Sequence, residues 1–198
     1  MSKSSPTNYR LPAEFEPQEA TWLSWPSNKE ACPKTYLRLQ DKFGEIAANL
    51  ARYQRVRINA PDRMHMGIRL SIADNEGDLS QVDLYDHPTN DVWCRDHGPI
   101  FIKNNDTGKC AVANFKFNAW GEQFPPYDLD AGIATKAAEV LKMDRFDSDM
   151  VLEGGAIECN GQGVLITTEA VMLDPKRNPG WSKADVEKEL KRMFNVQT

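Results

Sequence analysis

The chain has 198 residues, with 24 Lys and Arg against 29 Asp and Glu, a formal net charge of −5. A chain of this length buries roughly 70% of its unfolded surface, so a core can form without metal or disulfide staples, and its mild acidity offers no basic face to nucleic acid or to an anionic membrane. With 40% hydrophobic and 27% charged residues the composition is globular rather than disordered; no window approaches the apolar run of about 18 residues that spans a bilayer, and the opening MSKSSPTNYRLP lacks the apolar stretch of a secretion signal.

In chain order, Ala20 to Trp25 alternates and stops at Pro26, as a strand does. Thr35 to Tyr53 carries Tyr36, Leu37, Leu39, Phe43, Ile46, Ala47, Leu50 and Ala51 as a helical stripe. Val56 to Ala60 is a short strand stopped by Pro61, Met64 to Ala73 is helical, and Val82 to Tyr85 is a strand closed by His87-Pro88. Pro99 to Lys103 and Cys110 to Phe117 form a hairpin about the turn cluster at 104–108. Asp128 to Met143 is expected to be one helix with Asp130 near its start. Met150 to Ile157 and Val164 to Thr168 are expected to form a second hairpin about Asn160-Gly161. Ser182 followed by Asp185 resembles a capping box opening a last helix through Phe194. The fold class is α/β, in one domain over 1–198 without linkers, and no Gly-rich phosphate loop follows any strand.

The four cysteines, Cys32, Cys94, Cys110 and Cys159, contain no C-x-x-C pair, and there are three histidines, His65, His87 and His97. No metal site is expected. Reduced thiols and a cytoplasmic location are the expectation. Cys94 and His97 could be read as a nucleophile and its base. Three apart in a strand-like run, however, they would face opposite ways, and Cys94 reads better as a small, half-buried hydrophobe. His65 and His87 read as structural or solvated.

Three segments are unusual for plain packing: residues 90–99 with Trp93, Arg95, Asp96 and His97; residues 116–121 with Trp120; and Leu152-Glu153-Gly154-Gly155. A carboxylate beside an indole suits a flat cation, accepting charge-assisted hydrogen bonds while the ring face adds cation–π attraction. Asp96 and Glu153 could grip opposite sides of a guanidinium, and the glycines beside Glu153 permit close approach. The structural alternatives are an Arg95–Asp96 ion pair and a Glu153 that caps a bulge.

Trp93-Cys94-Arg95-Asp96-His97-Gly98-Pro99 resembles the W-x-R-D-x-G-P signature of the agmatine deiminases and their relatives, the bacterial-type peptidyl-arginine deiminases. Phe117-Asn118-Ala119-Trp120-Gly121 is similar to their F-N-x-W-G. Leu152-Glu153-Gly154-Gly155, Asn160-Gly161, Thr167-Thr168-Glu169 and Arg177-Asn178-Pro179 resemble a further block, and residues 12–26 are similar to the family's opening. The resemblance implies a pentein fold, an α/β-propeller of ββαβ-type units, present here in part and lacking the C-terminal units. It implies hydrolysis of agmatine to N-carbamoylputrescine and ammonia, a step of putrescine and polyamine metabolism, with no metal or cofactor and often in a homo-oligomer. Carried over residue by residue, Asp96 would hold guanidinium nitrogens, Trp93 and Trp120 would line the substrate pocket, and Glu153 would bind the guanidinium or orient the catalytic histidine.

Family members are nearly twice as long, and their G-H-x-D histidine and C-terminal cysteine have no counterpart among these residues. The nucleophile is therefore expected beyond residue 198. Two readings follow: the N-terminal part of an agmatine deiminase, or a catalytically inactive fragment that binds a cationic ligand or a partner.

Overall fold

The structure, a computed structural model, describes residues 5–197. Its strands are β1 (Tyr9–Arg10), β2 (Ala20–Ser24), β3 (Arg55–Ala60), β4 (Val82–Asp86), β5 (Ile100–Asn104), β6 (Cys110–Lys116), β7 (Arg145–Val151), β8 (Glu158–Cys159) and β9 (Leu165–Ile166). Its helices are α1 (Tyr36–Ala51), α2 (His65–Asp74), α3 (Cys94–His97), α4 (Ala119–Glu122), α5 (Ile133–Leu141), α6 (Glu169–Met172) and α7 (Lys183–Phe194). Among the described residues no helix is long and apolar enough to cross a membrane. The chain divides into two compact units, one made of the described parts of Met1–Glu16, Arg95–Tyr127 and Ala131–Thr198, the other of Pro17–Cys94 and Asp128–Asp130.

The second of these units is built on the parallel sheet β2-β3-β4. Parallel strands need a crossover between them, and α1 and α2 supply it. The stripe on α1 buries Ala47, Ala48 and Ala51 against Val56, Ile58 and Ala60 of β3 and Ile68 and Ile72 of α2. The opposite sheet face carries polar side chains. Buried Asn59 donates from Nδ2 to Ser24 Oγ at 3.4 Å and accepts through Oδ1 from His87 Nδ1 at 3.0 Å, so His87 is a structural, buried ring.

The unit that carries residues 95–127 is built on a mixed sheet of order β1-β5-β6-β7, antiparallel except for the parallel β6–β7 pair. Helix α7 lays Val186, Leu190, Met193 and Phe194 among Ile102, Phe115, Met150 and Leu152. Burial of each such side chain contributes about 1.5–3 kcal/mol. The capping box that opens α7 is present: Ser182 Oγ accepts from the Asp185 amide at 3.2 Å and Asp185 accepts from the Ser182 amide at 3.0 Å.

Two expected elements differ. The hairpin read over 150–168 is in fact two pieces: Met150 and Val151 end β7, which pairs with β6 and begins at Arg145, while the hairpin proper is the short pair β8–β9. The helix expected from Asp128 starts at Ile133, because Asp130 is used elsewhere: its carboxylate accepts from the Asn90 amide at 2.7 Å.

The chain entering β1 is tied down by an ion pair. Arg10 donates from both terminal nitrogens to Glu16, one of them at 2.8 Å, and Glu16 also accepts from the Ala13 amide at 3.0 Å. The Arg10 hydrogen bond is the main reason the Glu16 carboxyl falls from 4.5 to about 2. A carboxyl whose folded value lies below its unfolded one contributes stability above the unfolded value and loses it as pH falls through the folded one. Glu16→Gln is therefore expected to cost about 1 kcal/mol at pH 7, a modest figure because the pair is a quarter exposed. The difference in melting temperature from wild type should shrink between about pH 4.5 and pH 2; a difference that is the same at both ends would assign the stabilisation to packing instead.

Candidate functional site

Asp96 sits on α3, a single turn ended by Gly98-Pro99. Its Oδ1 accepts from the Gly155 amide at 3.1 Å. The two glycines after Glu153 are required by this contact. A Cβ on Gly154 would lie 2.3 Å from the Arg95 carbonyl oxygen, and one on Gly155 would lie 2.3 Å from Asp96 Oδ1. Burial pushes the Asp96 carboxyl above the ordinary carboxylate value, against the opposing pull of the Gly155 amide and the charges of His97 and Arg95. Arg95 itself forms an ion pair with Glu14. Buried His97 tilts against the Phe117 ring, with centroids 5.8 Å apart. Asp96, His97, Phe117 and Leu152 line a small cavity with room for about one water molecule.

Glu153 is 2% exposed. Its Oε1 accepts from Arg177 Nε at 2.8 Å, and the Arg177 guanidinium also donates to Asp174 Oδ2 at 2.7 Å. Asp174 is held below the usual carboxylate range, first by the Lys176 amide and then by Arg177. Among the described residues no group donates a hydrogen bond to Glu153 Oε2. The neighbouring Asn178 fixes the end of β7: its Oδ1 accepts from the Val151 amide at 2.8 Å, and its Nδ2 donates to the carbonyls of Val151 and Met172, both at 3.1 Å.

Trp120 is carried by α4, whose four residues Ala119, Trp120, Gly121 and Glu122 have φ of 50, 60, 79 and 62°. This is a left-handed turn, costing roughly 1–2 kcal/mol for each residue with a Cβ. Asn118 offsets the cost: its Oδ1 accepts from the Gly121 amide at 3.0 Å and its Nδ2 donates to the Lys176 carbonyl at 2.9 Å. Trp120 meets Phe117 and Phe124 edge-on at 5.5 and 5.7 Å. At Gly121 a Cβ would lie 3.1 Å from Lys176 Cβ and 3.4 Å from Asp174 Oδ2, so the turn is seated on the loop that holds Glu153. Within one unit, then, Asp96 is tied to Gly155, Glu153 to Arg177, and the turn that carries Trp120 to residues 174–176.

Trp93 belongs to the other unit, with its side chain 55% exposed. A reciprocal clasp fixes its loop: Asp130 accepts from the Asn90 amide, and Asn90 Oδ1 accepts from the Leu129 amide at 2.9 Å and the Asp130 amide at 3.3 Å. The strand-like run expected through Cys94 and His97 is a helical turn, so the argument that they face opposite ways does not hold. Cys94 lies 4.0 Å from Asn59 Nδ2 and is half-buried. Burial pushes the Cys159 thiol up, and its Sγ donates to the Pro12 carbonyl at 3.1 Å, which is the reverse of an activated nucleophile. Among the described residues no three His, Cys, Asp or Glu side chains gather as a metal site.

Residues 10–198 match the model of the Porphyromonas-type peptidyl-arginine deiminase family. The chain belongs to that family. This deiminase-family chain is 33% identical to the agmatine deiminase of Pseudomonas aeruginosa over 195 residues, 96% of the chain and 51% of that protein. The solved agmatine deiminase of Enterococcus faecalis superposes with a TM-score of 0.89 at 31% identity, over 100% of this chain and 54% of its own. A C. jejuni agmatine deiminase solved with substrate bound gives a TM-score of 0.80 at 31% identity, over 96% of this chain and 54% of its own. The fold is therefore that of the agmatine and peptidyl-arginine deiminases, the pentein fold, and the chain spans about half the length of these relatives. Arg177 and Asn178 stand in the Arg177-Asn178-Pro179 motif with no role legible from the sequence. Their link to Glu153 and Val151 spans 24 and 27 residues, a separation that no local pattern reports.

Proposed function

We propose that the deiminase-family chain supplies part of the guanidinium cradle of an agmatine-hydrolysing enzyme, with Asp96 and Glu153 as its carboxylates. The observation that carries this reading is Glu153: a carboxylate 2% exposed, with Oε1 engaged by Arg177 and Oε2 receiving no donor from the described residues. A buried carboxylate with one oxygen still open fits a donor brought by a ligand. Asp96 supports it with a second carboxylate, whose raised carboxyl pKa a bound cation would lower again. Trp120, in the same unit as both carboxylates, offers an aromatic face for a planar cation.

The reaction is cleavage of one C–N bond of the guanidinium. A cysteine thiolate adds to the guanidinium carbon, ammonia leaves with a proton from a histidine, and water activated by that histidine releases N-carbamoylputrescine. Asp96 and Glu153 hold the positive charge on the nitrogens and leave the carbon open to attack. In this reading the thiolate and the histidine come from outside these residues. The names of the relatives favour agmatine over arginine.

Calorimetric titration of the chain with agmatine, arginine and putrescine tests the cradle. Agmatine should bind, and putrescine, which has no guanidinium, should bind at least ~10-fold more weakly, as the loss of charge-assisted hydrogen bonds demands. Equal affinities, or no binding of agmatine, would overturn the cradle. Ammonia release from agmatine by the chain alone would overturn the placement of the nucleophile.

A further inference from the structure

Arg177 places a guanidinium of the protein's own against a carboxylate of the proposed guanidinium cradle. Its Nε lies 2.8 Å from Glu153 Oε1 and its terminal nitrogen 2.7 Å from Asp174 Oδ2, with side chains 11%, 2% and 23% exposed for Arg177, Glu153 and Asp174. Two carboxylates around one guanidinium leave the trio with one net negative charge, so a cationic ligand still finds a charge to meet. The geometry also divides the labour at Glu153. Oε1 is taken by a donor fixed at both ends, which orients the carboxylate, and Oε2 is left without a donor among the described residues. The flanking bonds of Asn178 to Val151 and Met172, and the seat of Gly121 against Lys176 and Asp174, hold the loop that carries Arg177.

We propose that Arg177 is a positioning residue that acts on the guanidinium ligand through Glu153, holding that carboxylate oriented so that Oε2 is presented. This rests on the cradle reading above. Removal of Arg177 would leave Glu153 a buried carboxylate without its counter-charge, free to turn. Replacement by Lys keeps the charge but loses the planar, two-ended grip.

A double-mutant cycle on agmatine affinity, measured by calorimetry at pH 7, tests it. Arg177→Met and Glu153→Gln should each weaken agmatine binding by ~10–100-fold, and Arg177→Met in the Glu153→Gln background should weaken it by less than ~3-fold further. Arg177→Lys should recover part of the loss. A purely structural arginine would lower the melting temperature but lose affinity equally in both backgrounds, and that result, or wild-type affinity in Arg177→Met, overturns the proposal. If Arg177→Met does not fold, the same cycle run with Arg177→Lys decides on the same criterion. Absence of agmatine binding by the wild-type chain would instead overturn the cradle reading, and the role of Arg177 with it.

Discussion

Asp96→Asn is expected to weaken agmatine binding by about 100-fold while raising the stability of the chain at neutral pH. The first effect follows from charge. A carboxylate gripping a guanidinium contributes about 1.5–3 kcal/mol per charged hydrogen bond, and about 2.7 kcal/mol is 100-fold in affinity. The second follows from the direction of the Asp96 shift, which burial drives upward. A carboxyl whose folded value lies above its unfolded one stabilises the fold only below the unfolded value, near 3.9, and that contribution is lost as pH rises through the folded value. In the proposed cradle the ionised side chain is thus, at pH 7, a cost to the fold borne for binding. Asparagine removes the charge yet keeps an oxygen for the Gly155 amide. Thermal melts at pH 7 and pH 3.5 should show the variant above wild type at the higher pH and level with it at the lower. In wild type, agmatine affinity should fall as pH is lowered through the raised Asp96 value. A variant that melts below wild type at pH 7 would mean that Asp96 is a structural acceptor first.

Gly154→Ala carries the largest expected cost to the fold, about 3 kcal/mol, at the upper end of what overpacking produces. The added Cβ would sit 2.3 Å from the Arg95 carbonyl oxygen, a backbone atom that cannot rotate away. Either α3 or the chain after β7 must shift, and each carries a carboxylate of the proposed cradle. Gly155→Ala makes the comparison informative. Its Cβ meets Asp96 Oδ1, the end of a side chain that can swing aside. The expected cost in stability is therefore smaller, while agmatine binding is lost as fully as in Asp96→Asn. Urea denaturation of both variants, with agmatine titrations beside it, checks the pair. A Gly154→Ala chain within about 0.5 kcal/mol of wild type would contradict the contact between residues 95 and 154.

The parts of the fold that were legible in the sequence are those where one pattern acts alone. The alternation of β2, the apolar stripe of α1 and the Pro-stopped β3 read correctly because burial against a single sheet face sets them. The capping box at Ser182 read correctly because its two hydrogen bonds are local. Strand β7 is hard to read because Arg145-Phe146-Asp147-Ser148-Asp149 offers little β signal; Ser148 is buried there with its hydroxyl donating to Glu189 and accepting from the Met150 amide. The start of α5 was misread because Asp130 serves the Asn90 amide, a contact across 40 residues. At the site, Asp96, Glu153 and Trp120 stood out as odd residue types. Their support did not: a left-handed turn at Ala119, Trp120 and Glu122 runs against the preference of each residue, and Arg177 reaches Glu153 only through the tertiary fold.

Asp96, Glu153 and Trp120 are proposed to hold a guanidinium together, with Arg177 behind Glu153. The most direct measurement is a 1H–15N NMR titration of the chain with agmatine, using putrescine as the matched cation. Agmatine is expected to shift the Gly155 amide, which is bonded to Asp96, the Trp120 indole N–H and the Arg177 Nε–H, and putrescine at the same concentration to move them far less. Saturating agmatine that leaves these three signals in place, or shifts that cluster elsewhere in the chain, would contradict it.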